Sequence, residues 1–291
     1  MVTPRITSEG SDTRLRQVQR PSFYVVAEES GDDSMADGTY RSTPHTVGPW
    51  SPDLQHAGPP TALLMRAVQR LGGPSAPVPP NALPARLTAE IFRPVPVADL
   101  LVRARLHRPG RRVAWASAEL VAAAEPSQPI MRAQVWLVRR TDEPLDLPST
   151  PVPRAPGAGS TQPTPGTWGG GYLTAVTWEL TDGSFADPGP ATTWTRLLVD
   201  LVDTETPTGA QHAAIVADAG SGISAVADPS ELVFVNTELT IHLYREPTGE
   251  AVWMAGRTTL DPLGIGHAHT RLGDARGEVG AANQTLFVEP R

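Results

Sequence analysis

The chain has 291 residues, 40% of them hydrophobic, enough for one large or two medium domains with a sizeable core. Without cysteine there is no disulfide, thiolate metal site, iron–sulfur cluster or cysteine nucleophile, and with all 24 basic residues arginine there is no Schiff-base or phosphate-loop lysine. A formal net charge of −7 argues against nucleic acid as the main partner, the group Arg103, Arg105, Arg108, Arg111 and Arg112 being the one local exception.

In chain order, residues 1–20 are polar and arginine-bearing without an apolar period, and are expected to be a disordered leader. Strands are predicted over Phe23 to Ala27 and Thr39 to Thr43. Gln55-His56-Ala57 then precedes a helix through Ala62, Leu63, Leu64, Met65, Ala67, Val68 and Leu71. Four more strands follow, over Leu87 to Phe92, Leu100 to Leu106, Val113 to Val121 and Ile130 to Val138. Residues 144–167, dominated by Pro, Ser, Thr and Gly, read as a linker. They divide a first unit, 21–143, from a second, 168–291.

The second unit repeats the pattern. Strands over Tyr172 to Leu180 and Thr192 to Leu198 lead to Gln211-His212-Ala213 and an apolar helical stretch through Ile215, Val216, Ala219 and Ile223. Strands over Leu239 to Tyr244, Ala251 to Thr259, Gly266 to Leu272 and Gly280 to Val288 complete it. Arg93-Pro94 and Arg245-Glu246-Pro247 follow equivalent strands, and Gln134 and Gln284 lie at nearly equal distances beyond them. An antiparallel sheet with one long helix buries its apolar sides by curling round that helix. The expected fold is α+β: a double hot-dog, two antiparallel sheets forming one continuous curved sheet with each half wrapping a central helix. Pairing edge to edge also hides exposed strand edges. No stretch reaches the roughly 20 apolar residues that span a bilayer, and the N-terminus has no apolar signal core. The expectation is a cytoplasmic protein without a membrane partner.

The segments His45-Thr46-Val47-Gly48-Pro49-Trp50 and Gln55 to Leu64 resemble the helix start of the bacterial acyl-CoA thioesterase II and thioesterase-like families. Phe234 to Arg245 resembles their strand after the second helix, and Ala282 to Val288 their closing strand. The resemblance spans about residues 23–290. It implies hydrolysis of a fatty acyl-CoA by water, no cofactor, and a homodimer or higher homo-oligomer. It also implies a site of Asp, Thr and Gln in the second hot-dog. Counting from Arg245, the Asp position falls on Glu238; the Thr falls on Thr259, with Thr258 as its neighbour, and the Gln on Gln284. Glu in place of Asp carries the carboxylate outward by a methylene, and a misplacement of about 1 Å can cost on the order of 100-fold in rate.

In the chemistry so implied, Glu238 takes the water's proton while Thr259 and Gln284 hold the water. Substrate contacts are expected at Gly58, beside a helix N-terminus where the carbonyl oxygen could sit, and at His56. Each residue also has a bland reading: a solvated carboxylate, a strand threonine, a satisfied amide, and a histidine making a helix-start hydrogen bond. In the first half the corresponding residues are Arg86, which cannot be a base, and Gln134, so one working site per chain is expected. His267 and His269 lack a third metal ligand, so no metal is expected. Asp218-Ala219-Gly220-Ser221-Gly222 lies inside or at the end of the second helix with no strand before it and is no phosphate loop; its glycines are expected to bend or end the helix or to allow close packing, and Asp218 could contact the site or cap a neighbour. A non-catalytic hot-dog that binds acyl thioesters or lipid-like ligands is the main rival. A dehydratase ranks last, because no Asp and His pair is found on a short segment following either helix.

Overall fold

The computed structural model describes residues 20–148, 151–161, 170–228 and 230–291. Residues 1–19 of the expected leader, 149–150 and 162–167 of the expected linker, and 168–169 of the expected second unit lie outside the described residues. The first half contains β1 (Ser22–Asp32), β2 (Met35–Ser42), a 3-10 turn at Pro44–Thr46, α1 (Gly58–Gln69), β3 (Ala82–Ile91), β4 (Asp99–Arg108), β5 (Val113–Ala122) and β6 (Pro129–Arg139). Then come β7 (Ser160–Thr161), α2 (Tyr172–Ala175), β8 (Val176–Asp182), β9 (Ala191–Leu197), β10 (Asp200–Val202), α3 (Gly209–Ala217) and α4 (Gly220–Ile223). The chain closes with β11 (Leu232–Asn236), β12 (Glu238–Leu243), β13 (Ala251–Asp261), β14 (Ile265–Asp274) and β15 (Gly277–Pro290).

All these strands belong to one 15-stranded sheet in the order β10-β1-β2-β4-β5-β6-β3-β12-β15-β14-β13-β9-β8-β7, with β11 pairing with β15 beside β12. The run β1-β2-β4-β5-β6-β3 is matched by β8-β9-β13-β14-β15-β12, and the two meet where β3 pairs antiparallel with β12, Leu87 opposite Ile241 and Thr88 opposite Thr240. The parallel pair is β1 with β10. Only Leu198 and Val199 separate β9 from β10, although these strands stand near opposite ends of the order. The sheet therefore curves until its far ends approach. Ser160 and Thr161, inside the expected linker, form an edge strand on β8.

Alternation places one face of each strand inward. On β5 that face is Ala114, Ala116, Ala118 and Leu120, small enough near its start for α1 to lie close. Helix α1 is buried from Gly58 to Val68 and packs on α3 as well as on β4, β5 and β6. Leu63, Leu64 and Met65 have no exposed surface, and each such side chain contributes roughly 1.5–3 kcal/mol on burial. The helices touch most closely at Gly58, where a Cβ would lie 2.0 Å from the carbonyl oxygen of Ile215. Prolines at 59 and 60 suit a first turn whose N–H groups lack intrahelical acceptors. Helix α3 begins with a capping box: Thr208 Oγ1 accepts from the Gln211 amide at 3.2 Å, and Gln211 Oε1 accepts from the Thr208 amide at 3.3 Å.

Three sequence correspondences do not hold. The apolar stretch expected as one helix to Ile223 breaks at Asp218 and Ala219 into α3 and α4. His56 lies two residues before α1, whereas His212 lies inside α3, so the two Gln-His-Ala segments occupy different places. Gln134 is exposed while Gln284 is buried, so these two amides face opposite sides of their strands. A one-residue offset along a strand reverses the side-chain face, and a small difference in spacing conceals that change.

Candidate active site

A cavity of about 430 Å³ opens where the loop before α1, the break between α3 and α4, and strand β11 come together. Its walls include Trp50, Phe92, Trp178, Phe185, Phe234 and Phe287, with Trp50 and Phe234 meeting edge to face at 6.0 Å. Into this apolar space project His56, Asp218, Ser221 and Asn236. A few polar groups converging in an apolar cavity are the usual form of a small-molecule site.

Asp218 stands at the C-terminal end of α3, where the helix dipole disfavours an anion, and its side chain is only 4% exposed. Such a carboxylate needs compensating donors. Asn236 Nδ2 donates to its Oδ1 at 2.8 Å, and Gln284 Nε2 approaches the same oxygen at 3.3 Å while donating to the Asp218 carbonyl at 3.0 Å. Gln284 Oε1 accepts from the Ser221 amide at 3.1 Å, so one buried side chain bridges both sides of the helix break. Gly220 makes this possible: a Cβ there would lie 2.1 Å from Thr270 Oγ1 and 3.2 Å from Gln284 Oε1. Asn236 ends β11 beside an interruption at Thr237 before β12 begins.

His56 Nδ1 lies 3.0 Å from Asp218 Oδ2 and its ring stacks on Tyr172 at 3.7 Å. The preceding Gln55 is anchored: its Nε2 donates to Ser42 Oγ and Pro96 O, and its Oε1 accepts from the Tyr24 hydroxyl. Burial lowers the pKa of His56 from its ordinary value, and the Asp218 charge pulls it part of the way back. The Gly58 amide also lies 3.2 Å from Nδ1. Nδ1 cannot both accept from that amide and donate to the carboxylate. An unprotonated Nδ1 would set its lone pair against Oδ2, so the Nδ1–H tautomer fits the shorter contact.

Of the residues expected from sequence, Gln284 and His56 belong to this cluster. Gly58 is buried against Ile215 and serves helix packing; it does not line the cavity. Glu238 does not line it either: its Oε1 accepts from the Thr285 amide at 2.8 Å and its Oε2 from the Thr240 hydroxyl at 2.9 Å, within the sheet. Thr259 is exposed opposite His267, on the other face from Gln284. Its neighbour Thr258 points inward, with Oγ1 2.8 Å from Ser224 Oγ. The structure thus brings together Asp, Asn and Gln, as Asp218, Asn236 and Gln284, and leaves Glu238 and Thr259 apart from them. Asp218, expected only to contact the site or cap a neighbour, carried one further signal: it is the single acid in the apolar run from Ala213 to Ile223. Among the described residues no three potential metal ligands cluster, and no helix is long and apolar enough to cross a membrane.

The curved, mostly antiparallel sheet places the chain among hot-dog-fold proteins. Two family models match it, the acyl-CoA thioesterase N-terminal domain over residues 46–138 and the acyl-CoA thioesterase C-terminal domain over residues 150–288. Together they span most of the chain, which belongs to the acyl-CoA thioesterase family. Among solved structures it is similar to a candidate thioesterase II from Thermobifida fusca, at TM-score 0.69 and 16% identity over 91% of this chain and 95% of that one. It is also similar to a hot-dog protein of unknown function from Alicyclobacillus acidocaldarius, at TM-score 0.64 and 14% identity over 90% and 96%. An acyl-CoA thioesterase II from Mycobacterium marinum superposes at TM-score 0.60 and 12% identity over 91% and 95%. At these identities the likeness concerns the fold. No curated protein matches.

Proposed function

We infer that the chain is a pair of hot-dog units, 21–143 and 168–291, that hydrolyses acyl-CoA thioesters with water in the cavity beside Asp218. The observation that carries this reading is the Asp218 carboxylate, held by Asn236 and Gln284 at the bottom of an aromatic-walled cavity. The acyl group would occupy the apolar walls and the thioester would lie over the polar cluster. Water would attack the carbonyl carbon, its proton drawn toward the negative charge of Asp218. Collapse of the tetrahedral intermediate then breaks the C–S bond, and the departing thiolate recovers the proton, giving a fatty acid and free coenzyme A. Gln284 acts by fixing the helix break that presents Asp218. Supporting this reading are the two matching family models and the convergence of an Asp, an amide and a Gln where the resemblance implies Asp, Thr and Gln.

The test is release of free thiol from acyl-CoAs of graded chain length by the wild type and by Asp218→Ala. Hydrolysis that falls at least 100-fold in the variant supports the reading; no turnover of any chain length, or turnover indifferent to the substitution, contradicts it.

One observation favours a second reading. An Asp and His pair, not found on a short segment following either helix, is assembled across the two halves as Asp218 and His56. Such a pair suits addition of water to an enoyl thioester. Conversion of a 2-enoyl-CoA to its hydrated form without thiol release would select this reading over hydrolysis.

A further inference from the structure

We propose that His56 is the catalytic base of the site, its Nδ1–H held by Asp218 so that the Nε2 lone pair faces the acyl cavity. The proposal rests on the functional reading above and assigns the proton transfer within it to a residue of the first half. Asp218 Oδ1 already receives Asn236 at 2.8 Å and Gln284 at 3.3 Å, and Oδ2 faces His56 Nδ1 at 3.0 Å. A carboxylate with both oxygens engaged by fixed donors is suited to orienting a neighbour, and less suited to stripping a water molecule itself. The imidazole, by contrast, has one nitrogen engaged and one open. His56 lines the cavity, its Nε2 has no protein partner, and the only buried, unpartnered side-chain nitrogen or oxygen among the described residues is Arg86 Nε. Nε2 must therefore have access to the cavity.

The ring is also held in place. It stacks on Tyr172 at an interplanar angle of 8°, and Tyr172 is itself fixed by its hydroxyl donating to Ile215 O at 2.9 Å. The His56 amide donates to Thr46 O at 2.9 Å. The loop before α1, α2 and the end of α3 thus hold one imidazole from three sides. The titratable or charged groups facing it are Asp218 and Tyr172, with Arg93 also lining the cavity. Burial raises the Tyr172 pKa and keeps its hydroxyl neutral. In the reaction, His56 Nε2 takes one proton from the attacking water, Asp218 stabilises the imidazolium, and that proton passes to the leaving sulfur as the C–S bond breaks. Base and carboxylate come from different halves of the chain, so neither half alone would carry the site.

Nitrogen NMR of imidazole-labelled wild-type protein tests the geometry without any substitution. At neutral pH, His56 should show a protonated Nδ1 and a bare Nε2, and Asp218→Asn should lower its pKa further, because the Asp218 charge raises it. Kinetics test the role. His56→Gln should lower kcat for acyl-CoA hydrolysis at least 100-fold with KM within a few fold, and imidazole should restore activity to His56→Ala. The wild-type acid limb of kcat/KM should fall below the ordinary histidine value and disappear in His56→Gln. An Nε2–H tautomer, or a His56→Gln enzyme within tenfold of wild type, overturns the proposal. If the wild type hydrolyses no acyl-CoA, the hydrolase reading fails, whereas the dyad stands or falls on the tautomer and its response to Asp218→Asn.

Discussion

Acidification should destabilise the protein from a point well above the carboxylate range, and His212 drives the loss. It lies within α3, 6% exposed, with no carboxylate partner; its Nε2 is 3.3 Å from Thr195 Oγ1, whose own proton goes to Val252 O. Burial pushes its pKa down to about 3, against roughly 6.5 for the unfolded chain. Because the folded value is the lower one, the unfolded state binds a proton between the two that the folded state rejects. Stability from this group is complete above the unfolded value and is lost as pH falls toward the folded value. The slope is ~1.4 kcal/mol per pH unit, so pH 5 costs on the order of 2 kcal/mol, and the full interval on the order of 5 kcal/mol. That is a large share of a typical 5–15 kcal/mol stability. Urea unfolding of wild type and His212→Gln between pH 4.5 and 7 isolates the effect, because His56, shifted the same way, is common to both. The variant should lose the His212 share of that slope. Equal slopes in both proteins, or a His212 imidazole titrating near 6.5 by NMR, would refute the reasoning.

Two further substitutions probe how the fold is held together. Gly58→Ala places a methyl group against the Ile215 carbonyl, which belongs to backbone and cannot swing away; a loss of about 1–3 kcal/mol is expected in thermal or urea unfolding. Asp274 is fully buried and accepts from Arg245 Nη1 and Nη2, Thr248 and the Arg276 amide. Burial alone would raise its carboxyl pKa, but these hydrogen bonds outweigh it and hold the group well below the usual carboxylate range. Its contribution is present above about pH 4 and is lost as pH falls below that. Asp274→Ala should cost about 3–5 kcal/mol at neutral pH by leaving Arg245 unpaired, and Arg245→Met together with Asp274→Leu should recover part of that loss.

The architecture was legible because its signals are local and periodic. Alternating residues such as Ala114, Ala116 and Ala118 declare an inward face, and the apolar run of α1 declares a buried helix. The short strands β7, β10 and β11 were missed, since two to five residues carry too little period, and Tyr172–Ala175, expected as the start of a strand, forms α2. The site was read less well, for a physical reason. Gln284, reached through the family resemblance, lies in the cluster, but Asp218 and Asn236 come from a helix end and a strand interruption, and such places have no period. Glu238 satisfied a count of residues, yet its carboxylate takes the Thr285 amide within the sheet. Thr258 and Thr259 differ by one position and therefore by a whole face. His56 was singled out because Gln-His-Ala occurs twice, although only this copy stands beside Asp218.

Asp218 is the carboxylate on which the proposed site depends, and a comparison of kcat/KM for acyl-CoA hydrolysis in Asp218→Asn and Glu238→Gln tests this. Both changes keep size and remove charge. The structure predicts a loss of at least 100-fold for Asp218→Asn and less than tenfold for Glu238→Gln. The reverse ranking would place the chemistry at β12 and contradict the site described for this chain.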